Sequence, residues 1–278
     1  MWNQIKTVLL LGALTGLMLA IGMFLAGTTG LTVALAFALL MNFITYFFSA
    51  KIVLWMYRAK EAKKNEHSRL HHIVENVAKK AGIPKPKVYI IPSEQPNAFA
   101  TGRNPKNGVV ACTEGIMKLL NHDELEGVIA HEIAHIRNRD ILIATIAATI
   151  AAVISYVTAM ARWSVIFGSD DDRGNIFSII LLSIITPIVA MIIQLAISRA
   201  REYHADATGA RFIANTKGLA SALKKIERAV HSYPMRFGNA ATSSLFIQNP
   251  FTFKGVMSLL STHPPTDERI KRLNRMSF

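Results

Sequence analysis

The chain has 278 residues, 51% of them hydrophobic, a net charge of +13 and one cysteine. That apolar content is too high for an ordinary soluble domain of this size, and a single cysteine excludes an intrachain disulfide and suits a reducing compartment. The basic excess carries no aromatic-interleaved patch or known nucleic-acid motif, so membrane topology and anionic lipid account for it more simply than nucleic acid does.

The apolar residues are concentrated in four stretches. Thr7 to Gly27 is nearly all apolar, and Leu31 to Met56 has only Lys51 charged. Ile141 to Met160 and Ile176 to Ser198 contain no charge. Each is about as long as a helix that crosses a bilayer, which predicts four transmembrane helices. The first reads as a retained anchor and not a cleaved signal peptide. Lys6 is a thin positive flank, the run exceeds a usual signal core, and no small-x-small cleavage site follows it. Fourteen Lys or Arg lie between the second and third spans and thirteen after the fourth, against none in Gly27 to Gly30. The loop between the third and fourth has Arg162 and Arg173, opposed by Asp170, Asp171 and Asp172. The positive-inside rule then puts the N-terminus, the middle segment and the C-terminal segment in the cytoplasm.

Past the second span, Glu66 to Lys80 has Leu70, Ile73, Val74 and Val77 at helical spacing. Pro84 and Pro86 end that helix. Lys87 to Ile91 and Gly108 to Thr113 read as strands. Between them, Asn97 to Gly102 is either a plain turn and strand edge or the border of a cleft, where an extended peptide adds to a sheet edge. Cys112 sits in an apolar strand-like run and reads as a buried, inert thiol.

His122 to His135 reads as a helix with Asp123, Glu124 and Glu126 in its first turns and Leu125, Val128, Ile129, Ile133 and Ile136 as its apolar stripe. Within it, His131, Glu132, Ile133, Ala134 and His135 spell H-E-x-x-H. Positions i and i+4 share a helix face, so two imidazoles can bind one Zn²⁺. Glu132 lies about 100° further round, where a carboxylate reaches a reacting water as general base without ligating. Arg137, Arg139 and Asp140 follow directly, which places the site at the membrane surface and not inside a span.

A catalytic zinc takes a third protein ligand. Ser198 to Ala207 continues the fourth span into the cytoplasm and offers Glu202 and Asp206 on one face. Glu202 is the candidate ligand, and Asp206 the acceptor for the second ring N–H of a ligating histidine. A surface ion pair of Glu202 with Arg199 or Arg201 is the plain alternative. The third and fourth spans form an out-and-back hairpin that returns Glu202 to the side of His135, which favours the ligand. His204 faces elsewhere. His67, His71, His72, His122 and His231 read as solvated or locally bonded. Gly218 to Val230 is a further amphipathic helix, and Phe237 to Phe253 either packs in the core or lies on the membrane. Pro264 and Pro265 open the last helix, with Asp267 and Glu268 in its first turn. His263 either lines the cleft and steadies an oxyanion or braces this helix, and bracing is preferred.

Asn97-Ala98-Phe99-Ala100, H-E-I-A-H at 131–135 followed by Asn138 and Asp140, Arg201-Glu202-Tyr203-His204-Ala205-Asp206, and Ser261-Thr262-His263-Pro264-Pro265 together resemble the HtpX-type membrane metalloproteases, relatives of the CAAX prenyl endopeptidases. The resemblance covers essentially the whole chain. It implies a mainly α membrane protein, four transmembrane helices with a cytoplasmic α+β zincin-like (gluzincin) catalytic domain. It adds Asn138 and Asp140 as supports of the ligands, and a substrate-holding edge near Asn97, Ala98 and Phe99 and near Val109 to Cys112. One Zn²⁺ per chain, membrane-associated protein substrates and a stress-response role in removing damaged or misassembled membrane proteins at the bacterial inner membrane follow from it. The expected parts are a two-helix anchor (1–56), a cytoplasmic catalytic part (57–140), a second transmembrane hairpin (141–198) and a cytoplasmic helical part with the third ligand (199–278). The rivals are a CAAX-type prenyl-protein endopeptidase and a membrane scaffold with a structural metal, which would have no need of Glu132.

Overall fold

The computed structural model describes residues 2–146, 199–230, 245–247 and 264–277. Its first element, α1 (Trp2–Met56), is a helical run that doubles back. Asn42 Nδ2 donates to Thr15 Oγ1 at 2.9 Å, whereas a straight helix would hold those residues about 40 Å apart. The reversal is at Gly27, whose φ of +58° glycine adopts without a Cβ penalty. The arms then approach so closely that a Cβ on Gly22 would lie 2.5 Å from the Gly30 carbonyl oxygen. Gly27–Met56 is long and apolar enough to cross a bilayer, and among the described residues it is the one segment that is. Val33, Phe37, Leu39, Leu40 and Phe43 are exposed on it, a surface suited to lipid. The third and fourth expected spans fall on 147–198 for nearly all their length, outside the described residues; 141–146 are helical.

A four-stranded sheet follows, in the order β1 (Lys60–Glu61), β2 (Lys87–Ile91), β4 (Val109–Thr113), β3 (Ala98–Thr101). β4 runs parallel to β2 and antiparallel to β3. Alternation sends Val88, Ile90, Ala98, Ala100, Val110 and Cys112 to one core, against α2 (Ser68–Ala81) and α4 (His122–Arg137). Ile91, Phe99, Val109 and Ala111 face a second core with Val53, Leu54, Tyr57 and Phe246. The Phe246 ring sits 4.9 Å from Tyr57 and 5.1 Å from Phe99. That aromatic group fastens the C-terminal end of α1 to the sheet. β4 is therefore interior, paired on both sides, so Val109 to Cys112 does not border an open edge as expected; β3 is the outer strand. Burial pushes the Cys112 thiol strongly up, in keeping with an inert group.

The helices predicted at 66–80, 122–135 and 218–230 are present within a few residues of their expected ends. α3 (Glu114–Leu119) is a short addition. α4 starts on a capping box: the Asn121 side chain accepts from the Glu124 N–H and the Glu124 carboxylate accepts from the Asn121 N–H. Glu124 also accepts from Ser221 at 2.7 Å and Lys225 at 2.8 Å, tying α4 to α6 (Lys217–Val230). α5 (Arg199–Ile213) crosses α4 at Gly209, where a Cβ would lie 2.8 Å from Ala130 C and His131 N. Gly209→Ala is expected to force the helices apart and destabilise the protein by about 1–3 kcal/mol. A thermal melt equal to that of the parent would refute the close-crossing role. The last helix is α7 (Thr266–Asn274).

Candidate active site

The close α4–α5 crossing places two helix faces against each other in opposite directions. Gly209 meets Ala130, and one and two turns back Asp206 and Glu202 meet the histidines. His131 Nε2 and His135 Nε2 are 3.1 Å apart. Glu202 Oε2 is 3.7 Å from the first and Oε1 is 3.4 Å from the second. His131, His135 and Glu202 thus form a group that can hold a metal ion. A tetrahedral ion with bonds of about 2.0–2.1 Å has ligand–ligand edges of about 3.4 Å; the imidazole pair is close to that, and the carboxylate turns one oxygen toward each ring.

The far side of each ring fixes its tautomer. His131 Nδ1 lies 2.8 Å from Asp206 Oδ1, and His135 Nδ1 lies 3.2 Å from Asp140 Oδ2. A carboxylate only accepts, so both Nδ1 atoms carry a proton, which leaves Nε2 of each ring, aimed at the shared centre, as the atom that can bind a metal. Asp140 reaches back because α4 ends in a Schellman turn. Arg139 takes a φ of +59°. The Arg139 N–H bonds Ile136 O at 3.1 Å and the Asp140 N–H bonds His135 O at 3.0 Å. Asn138 is the C-cap of that turn. It therefore shapes the exit of the helix, between the ligand and its supporting carboxylate.

Burial lowers the His131 pKa although Asp206 opposes it. Burial pulls His135 the same way, but Asp140 and Glu202 outweigh it and hold the group up at about 10, so without an ion the ring keeps a second proton on Nε2, which a bound metal would displace. Glu132 is buried and stands beside the ligand ring. Burial pushes it up to about 7; the His135 charge opposes this most, the Glu202 charge adds to it, and a hydrogen bond from the Ala100 backbone also resists. That hydrogen bond brings the β3 edge directly against Glu132.

The Asn97, Ala98 and Phe99 side chains are fully buried. The Phe99 ring belongs to the second core, so it is the backbone of this strand, and not these side chains, that stands toward Glu132. Part of that edge is already paired: the Ile247 N–H donates to Ala98 O at 3.0 Å, and Phe99 bridges Phe246. His263 lies outside the described residues. His204 is exposed, and His71 Nε2 lies 2.8 Å from Ala62 O.

One arginine, Arg269, escaped sequence reasoning, and Arg201 entered it only as a surface ion-pair partner for Glu202 and as part of a motif. Arg269 is 1% exposed and forks onto Asp206. Arg201 lies near Asp140 and Glu202, and its own pKa is lowered by burial against their pull. Sequence held one faint signal, the odd charge balance of helix 266–274, and no spacing linking it to His131.

The sequence profile of Peptidase family M48 matches residues 64–277, across every residue of this site. The chain belongs to peptidase family M48. A protein named Protease HtpX homolog from Persephonella marina is 54% identical over 281 residues, covering 99% of this chain and 98% of the relative. One of the same name from Pyrococcus furiosus is 53% identical over 277 residues, covering 99% and 96%. The M48 peptidase also resembles the crystal structure of S. mikatae Ste24p, with a TM-score of 0.54 and 19% identity over 98% of this chain. It spans 65% of that longer chain, and the likeness is one of fold. The M48 peptidase is thus a metalloendopeptidase with, among the described residues, one helix long and apolar enough to cross a membrane.

Proposed function

We propose that this M48 peptidase is a zinc endopeptidase, with one ion per chain held by His131, His135 and Glu202, that cleaves membrane-associated proteins at the cytoplasmic surface. The observation that carries the proposal is the convergence of two Nε2 atoms and one carboxylate, with both Nδ1 atoms already committed to Asp206 and Asp140. When bound there, zinc supplies Lewis-acid polarisation and an acidified water. Glu132 takes a proton from the attacking water and gives it to the leaving amine. Its buried position suits both tasks, since a carboxyl near neutrality exchanges protons in either direction. Asp140 and Asp206 keep the two imidazoles from rotating. The β3 backbone beside Glu132 is where an extended peptide would lie.

The apolar hairpin packed on the sheet holds this site next to a bilayer, which supports membrane-embedded or membrane-bound substrates. Damaged and misassembled membrane proteins, removed under stress at a bacterial inner membrane, are the proposed targets. The Ste24p likeness carries no weight for prenylated substrates, since it extends to fold alone.

Hydrolysis of an unfolded test protein such as casein by the detergent-solubilised full chain is expected to stop on chelation and return with stoichiometric zinc. Proteolysis that persists in chelator would refute the proposal. Cleavage of a prenylated CAAX peptide in preference to casein would move the substrate class to the prenyl endopeptidases.

A further inference from the structure

We propose that Arg269 is a positioning residue of the metal centre, locking Asp206 in the orientation that makes His131 present Nε2 to the ion; the proposal rests on the zinc reading of the site. Arg269 is the largest fully buried side chain among the described residues. A buried guanidinium and a buried carboxylate are each costly unless paired and hydrogen-bonded. Here they are: Arg269 Nε donates to Asp206 Oδ2 at 2.9 Å, and Nη2 donates to Oδ1 at 2.7 Å. Two parallel bonds fix the plane of the carboxylate, which a single bond does not.

The same Oδ1 accepts from His131 Nδ1 at 2.8 Å. Nη2 comes within 3.4 Å of that ring nitrogen because both donors converge on one oxygen. A guanidinium cannot accept, so the proton on Nδ1 has Asp206 as its target, and the ring turns its lone pair the other way. Nη1 donates to the Ile247 carbonyl at 3.2 Å and stands 3.8 Å from Glu202 Oε2. One side chain thus braces α7, the strand-like segment on the β3 edge, and the outer partner of a ligand.

Charge alone does not explain the arrangement. A lysine would carry the same charge but could not make the fork. The test uses the full chain in detergent, with Arg269→Lys, Asp206→Asn, the double variant, and Lys271→Ala as an exposed control on the same helix. Zinc affinity is measured against a chromophoric chelator. The visible spectrum of the cobalt-substituted protein reports ligand geometry, and kcat and KM are read separately.

Arg269→Lys is expected to weaken zinc about 10–100-fold, to alter the cobalt spectrum, and to lower kcat with KM little changed. In the Asp206→Asn background it should add almost nothing, because the two act in series. Lys271→Ala should match the parent throughout. Parent-like zinc affinity and cobalt spectrum in Arg269→Lys would overturn the proposal. So would effects that multiply in full in the double variant, which mark a structural role independent of Asp206. If Arg269→Lys does not fold, Asp206→Asn decides: unchanged zinc affinity there overturns the proposal, and the loss and spectral change support it. A parent protein that takes up neither zinc nor cobalt overturns the metal reading itself, and this proposal with it.

Discussion

Glu132→Gln is expected to abolish proteolysis and leave zinc content unchanged. The amide has the size and shape of the carboxylate, and its carbonyl oxygen can still accept from the Ala100 N–H that holds Glu132 now. It cannot take a proton from water. Loss of a general base costs about 10²–10⁴ in rate, so kcat should fall into that range or to background. The metal group should be untouched, because Glu132 stands outside the ring of His131, His135 and Glu202. Stability gives an independent readout. The Glu132 carboxyl is raised from 4.5 to about 7 by burial and by Glu202. A carboxyl whose folded pKa is raised penalises the native state as pH climbs past the unfolded value, in full above the folded one. Metal-free Glu132→Gln should therefore match the parent near pH 4 and melt higher than it above pH 7. Undiminished turnover of a test substrate would remove Glu132 from the chemistry.

Glu202→Ala is expected to strip zinc from the site. The substitution leaves two imidazole nitrogens 3.1 Å apart and no anionic donor. The loss of affinity should exceed the about 10–100-fold that removal of an outer hydrogen-bond partner costs. Activity should follow the metal: excess zinc should restore part of it, which it cannot do for Glu132→Gln. The measurement is zinc per chain after dialysis, with the parent and Glu132→Gln run alongside. A ratio equal to the parent's would take Glu202 out of the site. A topological check accompanies it. Cysteines introduced near positions 202 and 131 should label from the same side of the bilayer in intact cells, on a background where buried Cys112 stays silent.

Much of the site was legible because its signals are short-range. H-E-x-x-H places two rings on one face through nothing more than the helical period. Glu202 and Asp206 share a face for the same reason, and out-and-back membrane geometry predicts their return to the histidines. The strands at 87–91 and 109–113 were visible as apolar runs. The sheet order was not. It makes β4 interior and β3 outer, which depends on a parallel β2–β4 pairing that no local pattern records. Phe99 shows the same limit. Its motif points to a substrate edge, but strand alternation turns its ring into the core shared with the end of α1 and leaves the backbone of β3 toward Glu132.

By itself the sequence determined which groups could meet: two imidazoles and a neighbouring carboxylate placed by the helical period, and Glu202 with Asp206 on one face of a second helix. Only the tertiary structure decided how those groups are held. The Gly209 crossing sets the distance between α4 and α5. The Arg139 turn folds Asp140 back onto His135. Arg269 reaches Asp206 from a helix 63 positions further along the chain. The physical reason is that ligand spacing is written in backbone geometry over one helical turn. The orientation of each ligand instead depends on side chains that meet only once the core has packed.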